Sequence, residues 1–141
     1  MARGAFLAAA LLAAALVSCS RPLSQEKFVT TDKAQGGVYE FELDLSDSLV
    51  LRDLSIFARC ARPDTLSVPL LVLWQSPSGV EFEETVYMKP LVDGFSREMY
   101  RRAFSIREHG IWHLYIRPLA VPRSFLGIGI ICESNGTRQT P

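Results

Sequence analysis

The chain has 141 residues, with 15 Lys and Arg balanced by 15 Asp and Glu and a hydrophobic content of 48%. This length suits one domain with its own core. A near-neutral balance removes the electrostatic case for nucleic-acid binding, and no apolar run reaches the roughly 20 residues a membrane-spanning helix requires.

The N-terminus reads MARGAFLAAALLAAALVSC. Arg3 supplies a charged start, Ala5 to Val17 form an apolar run that as a helix would measure only about 20 Å, and small Ser18 precedes Cys19. A charged start, a short apolar middle and a small exit describe a secretory signal, expected over residues 1–18. Leu16-Val17-Ser18-Cys19 resembles the bacterial lipobox, in which a signal peptidase cuts before the cysteine and the thiol is joined to a diacylglycerol. Cysteine suits this role because its sulfur is soft and its pKa lies near neutrality. Acyl chains contribute about 0.8 kcal/mol per buried methylene, so two or three of them make a lasting anchor. Cys19 is therefore the expected lipid attachment, and the membrane an expected partner through it. In the sorting rule of many such lipoproteins an aspartate after the cysteine retains the protein at the inner membrane. Ser20 stands there instead and points to the outer membrane, with the domain facing the periplasm.

Residues 19–37 are polar after the cysteine, carry Pro22 and end in Gly36-Gly37, the composition of a flexible spacer. From Val38 the pattern changes to period two. Tyr39, Phe41, Leu43 and Leu45 alternate with Glu40, Glu42 and Asp44, as in a strand with one wet face. SLVLRDLSIFARCA reads as a second strand, and PLLVLWQ, apolar throughout, as one inside a sheet. The turn SPSG leads into VEFEETVYM, where Val80, Phe82, Val86 and Met88 share their face with one irregular member, Glu84. SREMYRRAFSI reads as an edge strand by its aromatic and aliphatic content. IWHLYIRP alternates Trp112, Leu114 and Ile116 with His113, Tyr115 and Arg117, and FLGIGIICE closes the series as a strand thinned by Gly127 and Gly129. About seven short strands and no long amphipathic helix predict an all-β chain, an antiparallel β-sandwich over residues 38–133. Residues 134–141, SNGTRQTP, read as a disordered tail.

With Cys19 acylated, Cys60 and Cys132 remain, both on apolar faces of their strands. An exported chain meets an oxidising compartment, so they form either a disulfide, which needs Cα atoms within about 7 Å, or two buried free thiols. His109 and His113 have the spacing of a helical metal pair, but on a strand four residues span about 13 Å and cannot share one ion. Trp74 and Trp112 read as core, with a sugar platform as the alternative. No G-x-S-x-G, H-E-x-x-H, phosphate loop or Cys-x-x-Cys occurs, so no catalytic residue, cofactor or metal site is assigned and a non-enzymatic role is expected.

Asp47-Ser48-Leu49 and Asp64-Thr65-Leu66 resemble the Asp-Ser/Thr-aliphatic O-glycosylation sites of exported Bacteroidota proteins, which marks Ser48 and Thr65 as candidate acceptors in expected turns. The outward row His113, Tyr115 and Arg117 mixes aromatic and charged groups as interfaces do, and is the candidate contact surface.

The order of features from Val38 to Glu133, with LSIFARC, WQSPSG, ETVYM and above all EHGIWHLYIRPLAVPRSFLGIGIICE, resembles the gliding-motility lipoprotein family known as GldH. The strand VPLLVLWQ and the segment LVDGFSREMYRR depart from that pattern, which places the resemblance in a divergent branch. It implies a non-enzymatic outer-membrane lipoprotein that serves as a subunit or scaffold in an envelope assembly, with envelope proteins as partners. The alternative, from a different class, is a surface-exposed glycan-binding lipoprotein module.

Overall fold

The computed structural model describes residues 24–47 and 50–138, with side chains through residue 135. The expected signal peptide, Cys19 and Ser48 lie outside the described residues. Eight strands follow one another: β1 (Ser24–Thr30), β2 (Tyr39–Asp44), β3 (Val50–Cys60), β4 (Val68–Gln75), β5 (Glu81–Met88), β6 (Phe95–Phe104), β7 (Ile111–Pro118) and β8 (Phe125–Arg138). They form two four-stranded antiparallel sheets, ordered β1-β8-β3-β6 and β2-β7-β4-β5, which make a β-sandwich.

Period-two patterning builds the core. Phe41 and Leu43 of β2, Leu70, Val72 and Trp74 of β4, and Leu114 and Ile116 of β7 face Leu54, Ile56 and Ala58 of β3 and Ile128 and Ile130 of β8, all of them buried. Each apolar side chain removed from water contributes about 1.5–3 kcal/mol, so this double row is the main source of stability. Its polar alternates, among them Glu40, Glu42 and Asp44, stay exposed.

Two segments correct the expected boundaries. Ser24–Thr30, read as spacer, is β1 and pairs along its whole length with β8. Residues 134–138, read as a disordered tail, continue β8, with Val50 opposite Arg138. Both are edge or end segments held by the backbone ladder and poor in apolar side chains, so hydrophobic pattern does not reveal them.

For the thiols the structure selects one of the two alternatives left open. Cys60 and Cys132 are buried and free. Their strands are neighbours, but Cys132 lies opposite Leu54, six residues from Cys60 along β3, which is about 20 Å and far outside disulfide reach. Burial pushes the Cys132 thiol up to about 11 and raises Cys60 as well.

β6 is irregular. Between Arg52 and Ser55 its pairing with β3 shifts twice, so β6 carries extra residues around Tyr100 and Arg102–Ala103. Ala103 takes a positive φ of 47° and its amide donates to Asp53 Oδ1 at 2.7 Å. Bulges of this kind re-aim the side chains beside them.

Candidate functional site

Two surfaces gather functional chemistry, and the β6 bulges create the first. In a regular strand the adjacent Tyr100 and Arg101 would point to opposite faces. Here the Tyr100 hydroxyl and the Arg101 guanidinium both donate to Glu84 Oε1 on β5, which accounts for the one irregular member of the β5 row. Burial alone would raise the Glu84 pKa, but hydrogen bonds from Arg101 and Tyr100 outweigh it and hold the carboxyl below its ordinary value. Burial, joined by the bond to Glu84, keeps the Tyr100 phenol protonated far above neutrality. Glu84 is thus a fixed structural anion with both donors on one oxygen.

Beside this network a cleft of about 390 Å³ opens where the sheet edges β5 and β6 part. Trp74 is its hub: it stacks on Phe82 with ring centroids 5.8 Å apart and on Tyr100 at 6.1 Å, and meets Trp112 edge-on at 5.8 Å. Both indole N–H groups are already used. Trp74 Nε1 donates to the Tyr100 hydroxyl at 2.8 Å, and Trp112 Nε1 to the Glu108 carbonyl at 2.9 Å. The floor is therefore apolar. Polar groups sit at the rim: Arg101, Arg107 and Glu108, whose carboxylate accepts from Ser78 Oγ at 2.8 Å. Neither tryptophan lies open on the surface as a sugar platform would, since Trp74 is 3% and Trp112 9% exposed.

The second surface is the outward face of β2-β7-β4-β5. The structure brings together the residues expected there: His113 stacks on Tyr115 at 6.2 Å, and Arg117 follows on the same side of β7. Across the ladders His113 lies between Glu42 and Gln75, Tyr115 between Glu40 and Leu73, and Arg117 beside Leu71. His113 Nδ1 is 3.6 Å from Glu40 Oε1 and makes no hydrogen bond. Leu71 and Leu73, half-buried on a solvent-side face, form a shallow depression with Val38, Tyr115 and Arg117. Glu40, Glu42, Glu81 and Glu83 surround it, so the face is acidic at its margin. Chain order does not disclose that β4 lies beside β7, so the sequence alone does not join Leu71 and Leu73 to the row.

The remaining candidates stand apart. Thr65 is exposed in the β3–β4 connection, where Asp64 Oδ1 accepts from the Leu66 amide at 2.8 Å, so the aspartate has a turn-forming role of its own. His109 is exposed in the loop before β7. Among the described residues no three His, Cys, Asp or Glu side chains gather as a metal site requires.

No family model matches the chain, and no curated protein matches it. Among solved structures it is similar to a serine protease of Aeromonas sobria, at 13% identity and a TM-score of 0.39 over 84% of this chain and 28% of that one. It is also similar to an arabinose-bound α-L-arabinofuranosidase, at 13% identity and a TM-score of 0.39 over 81% of this chain and 22% of the enzyme. A third likeness is to the Desmodium yellow mottle tymovirus, at 12% identity and a TM-score of 0.31 over 86% and 91%. The chain spans about a quarter of the length of the first two. Similarity at this level carries no functional argument.

Proposed function

We propose that the chain is a lipoprotein of the cell envelope, moored at the outer membrane through acyl chains on Cys19, whose sandwich faces the periplasm and serves as a non-enzymatic subunit of an envelope assembly of the GldH kind. The supporting observation is the outward face of β2-β7-β4-β5. It presents half-buried Leu71 and Leu73 beside the stacked His113 and Tyr115, within a margin of four glutamates. An apolar centre with aromatic flanks and a charged rim is the anatomy of a protein interface, and the acidic margin favours a partner with a basic rim.

Two measurements test the proposal. Growth of the native host with a lipid analogue labels the wild type and leaves Cys19→Ala unlabelled; equal labelling of both removes the anchor. A photo-crosslinking residue at position 73 captures a defined envelope protein in intact cells, and Tyr115→Ala with Glu83→Lys weakens that capture about tenfold or more, as loss of an anchor and a rim charge does. Capture that is equal from position 131, on the opposite sheet, would falsify the assignment of this face.

A further inference from the structure

The aromatic cleft lies at the end of the sandwich where the tether enters. β1 begins at Ser24, opposite Glu133, which in turn lies opposite Asp53, and Asp53 holds the Ala103 amide of β6. This row crosses the sheet from the tether to the cleft in three interstrand spacings, about 14 Å. In the other sheet Gln25 clasps Asp44, and Leu43, one residue before it, pairs with Trp112 of the cleft floor. Four residues lie between Cys19 and Ser24, so the five steps from one to the other reach at most about 18 Å. A bilayer holding acyl chains on Cys19 is thus never far from this end.

The chemistry of the end suits that neighbour. Val80 at the cleft wall is 65% exposed and Phe82 46%. Large apolar side chains left open together mark a binding surface. Arg101 and Arg107 stand at the cleft; Arg101 is committed to Glu84, while among the described residues Arg107 makes neither a hydrogen bond nor an ion pair. The nearby carboxylates are engaged, Glu84 by Tyr100 and Arg101, Glu108 by Ser78, and Asp53 by the Ala103 amide. A ligand that matches this arrangement has a chain without polar groups over the floor and one negative charge at the rim.

We infer that the cleft takes an acyl chain of an anionic phospholipid from the membrane, the chain lying over Trp74 and Trp112 and the phosphate meeting Arg107. The inference rests on the tether at Cys19 proposed above. It makes this end of the domain a membrane-seated face, and leaves the outward face of β2-β7-β4-β5 free for a protein.

Trp74 and Trp112 are the only tryptophans of the chain, so its whole indole emission reports on the cleft. The mature chain carrying Cys19→Ser is titrated with vesicles of phosphatidylglycerol bearing brominated acyl chains, which quench indoles they touch. Strong quenching is expected, against little from brominated phosphatidylcholine and none from unbrominated phosphatidylglycerol. Arg107→Gln lowers vesicle partitioning about fivefold, and Val80→Asp abolishes the quenching while thermal unfolding stays unchanged. Absence of quenching in the folded wild type, indifference to both substitutions, or equal response to phosphatidylcholine overturns the inference. So does quenching by a soluble brominated carboxylic acid but not by vesicles, which assigns the cleft to a free small molecule. The intact mass of protein from the native host tests the tether separately: quenching with an unmodified Cys19 leaves the cleft as a lipid site and removes the anchor, and an acylated Cys19 without quenching does the reverse.

Discussion

The ring of Phe57 fills the space above Gly129, its partner across the β3–β8 ladder, where an added Cβ would collide with three of the ring carbons. The ring is only 2% exposed although it lies on the solvent side of its sheet, because Phe28 stacks on it at 5.7 Å and the Arg59 guanidinium covers it at 5.7 Å. Gly129→Ala forces the ring off this seat and lowers stability by about 1–3 kcal/mol, the usual cost of overpacking. Chemical denaturation measures the loss. Combining Gly129→Ala with Phe57→Ala shows a strong coupling, since the second change removes what the first collides with. A Gly129→Ala protein as stable as the wild type contradicts this packing.

β1 depends on a clasp as well as a ladder. The Gln25 side chain donates to the Asp44 carbonyl and accepts from the Asp44 amide, both at 2.9 Å, and so ties the edge of one sheet to the edge of the other. Gln25→Ala loses both bonds at an exposed position, with an expected cost of about 1 kcal/mol. Hydrogen exchange localises the effect: protection falls at the Asp44 amide and along β1, while the amides of β4 keep theirs. Uniform loss of protection across both sheets would mean that the clasp is not local.

The sandwich was legible because strands that bury one face and leave the other open announce themselves by period two, as Tyr39, Phe41 and Leu43 of β2 and Trp112, Leu114 and Ile116 of β7 show directly. β1 was not, because SQEKFVT is largely exposed and owes its place to β8 and to Gln25. Gly127 and Gly129 look like weak points in β8 until the Val29 carbonyl and the Phe57 ring occupy the space beside them. Glu84 was visible as an irregularity, but its partners Tyr100 and Arg101 become neighbours only through bulges that no periodicity announces. The facing of Cys60 and Cys132 was readable, whereas the offset that keeps them apart is a matter of strand register.

The two buried thiols provide a direct check of that register. In the Cys19→Ser chain, both titrate with a disulfide reagent after denaturation without any reductant. In the native state they react slowly, because burial disfavours the thiolate that attacks. Cys132, 1% exposed and pushed up to about 11, reacts more slowly than Cys60, which is 7% exposed. A denatured, unreduced sample that yields fewer than two thiols would show that a bond had formed and that the register is wrong.

Glu84 makes stability depend on pH in a defined direction. Burial opposes its ionisation, yet the bonds from Arg101 and Tyr100 hold its native pKa below the unfolded value. The unfolded chain therefore binds the proton first as pH falls, so the contribution is complete above the ordinary glutamate value of about 4.3 and is lost as pH drops through the lower native one. The Arg101 and Glu84 side chains remain 40% and 32% exposed, so solvent screening limits the effect to about 1 kcal/mol or less. Asp32, Asp44 and Glu108 are also held low, and a profile of the wild type alone would mix all four. The difference between the wild type and Glu84→Gln isolates one group. It is expected to be constant near neutrality and to shrink below about pH 4. A difference that grows as the solution is acidified would show that Glu84 is destabilised in the folded chain, and that Tyr100 and Arg101 do not hold it as an anion.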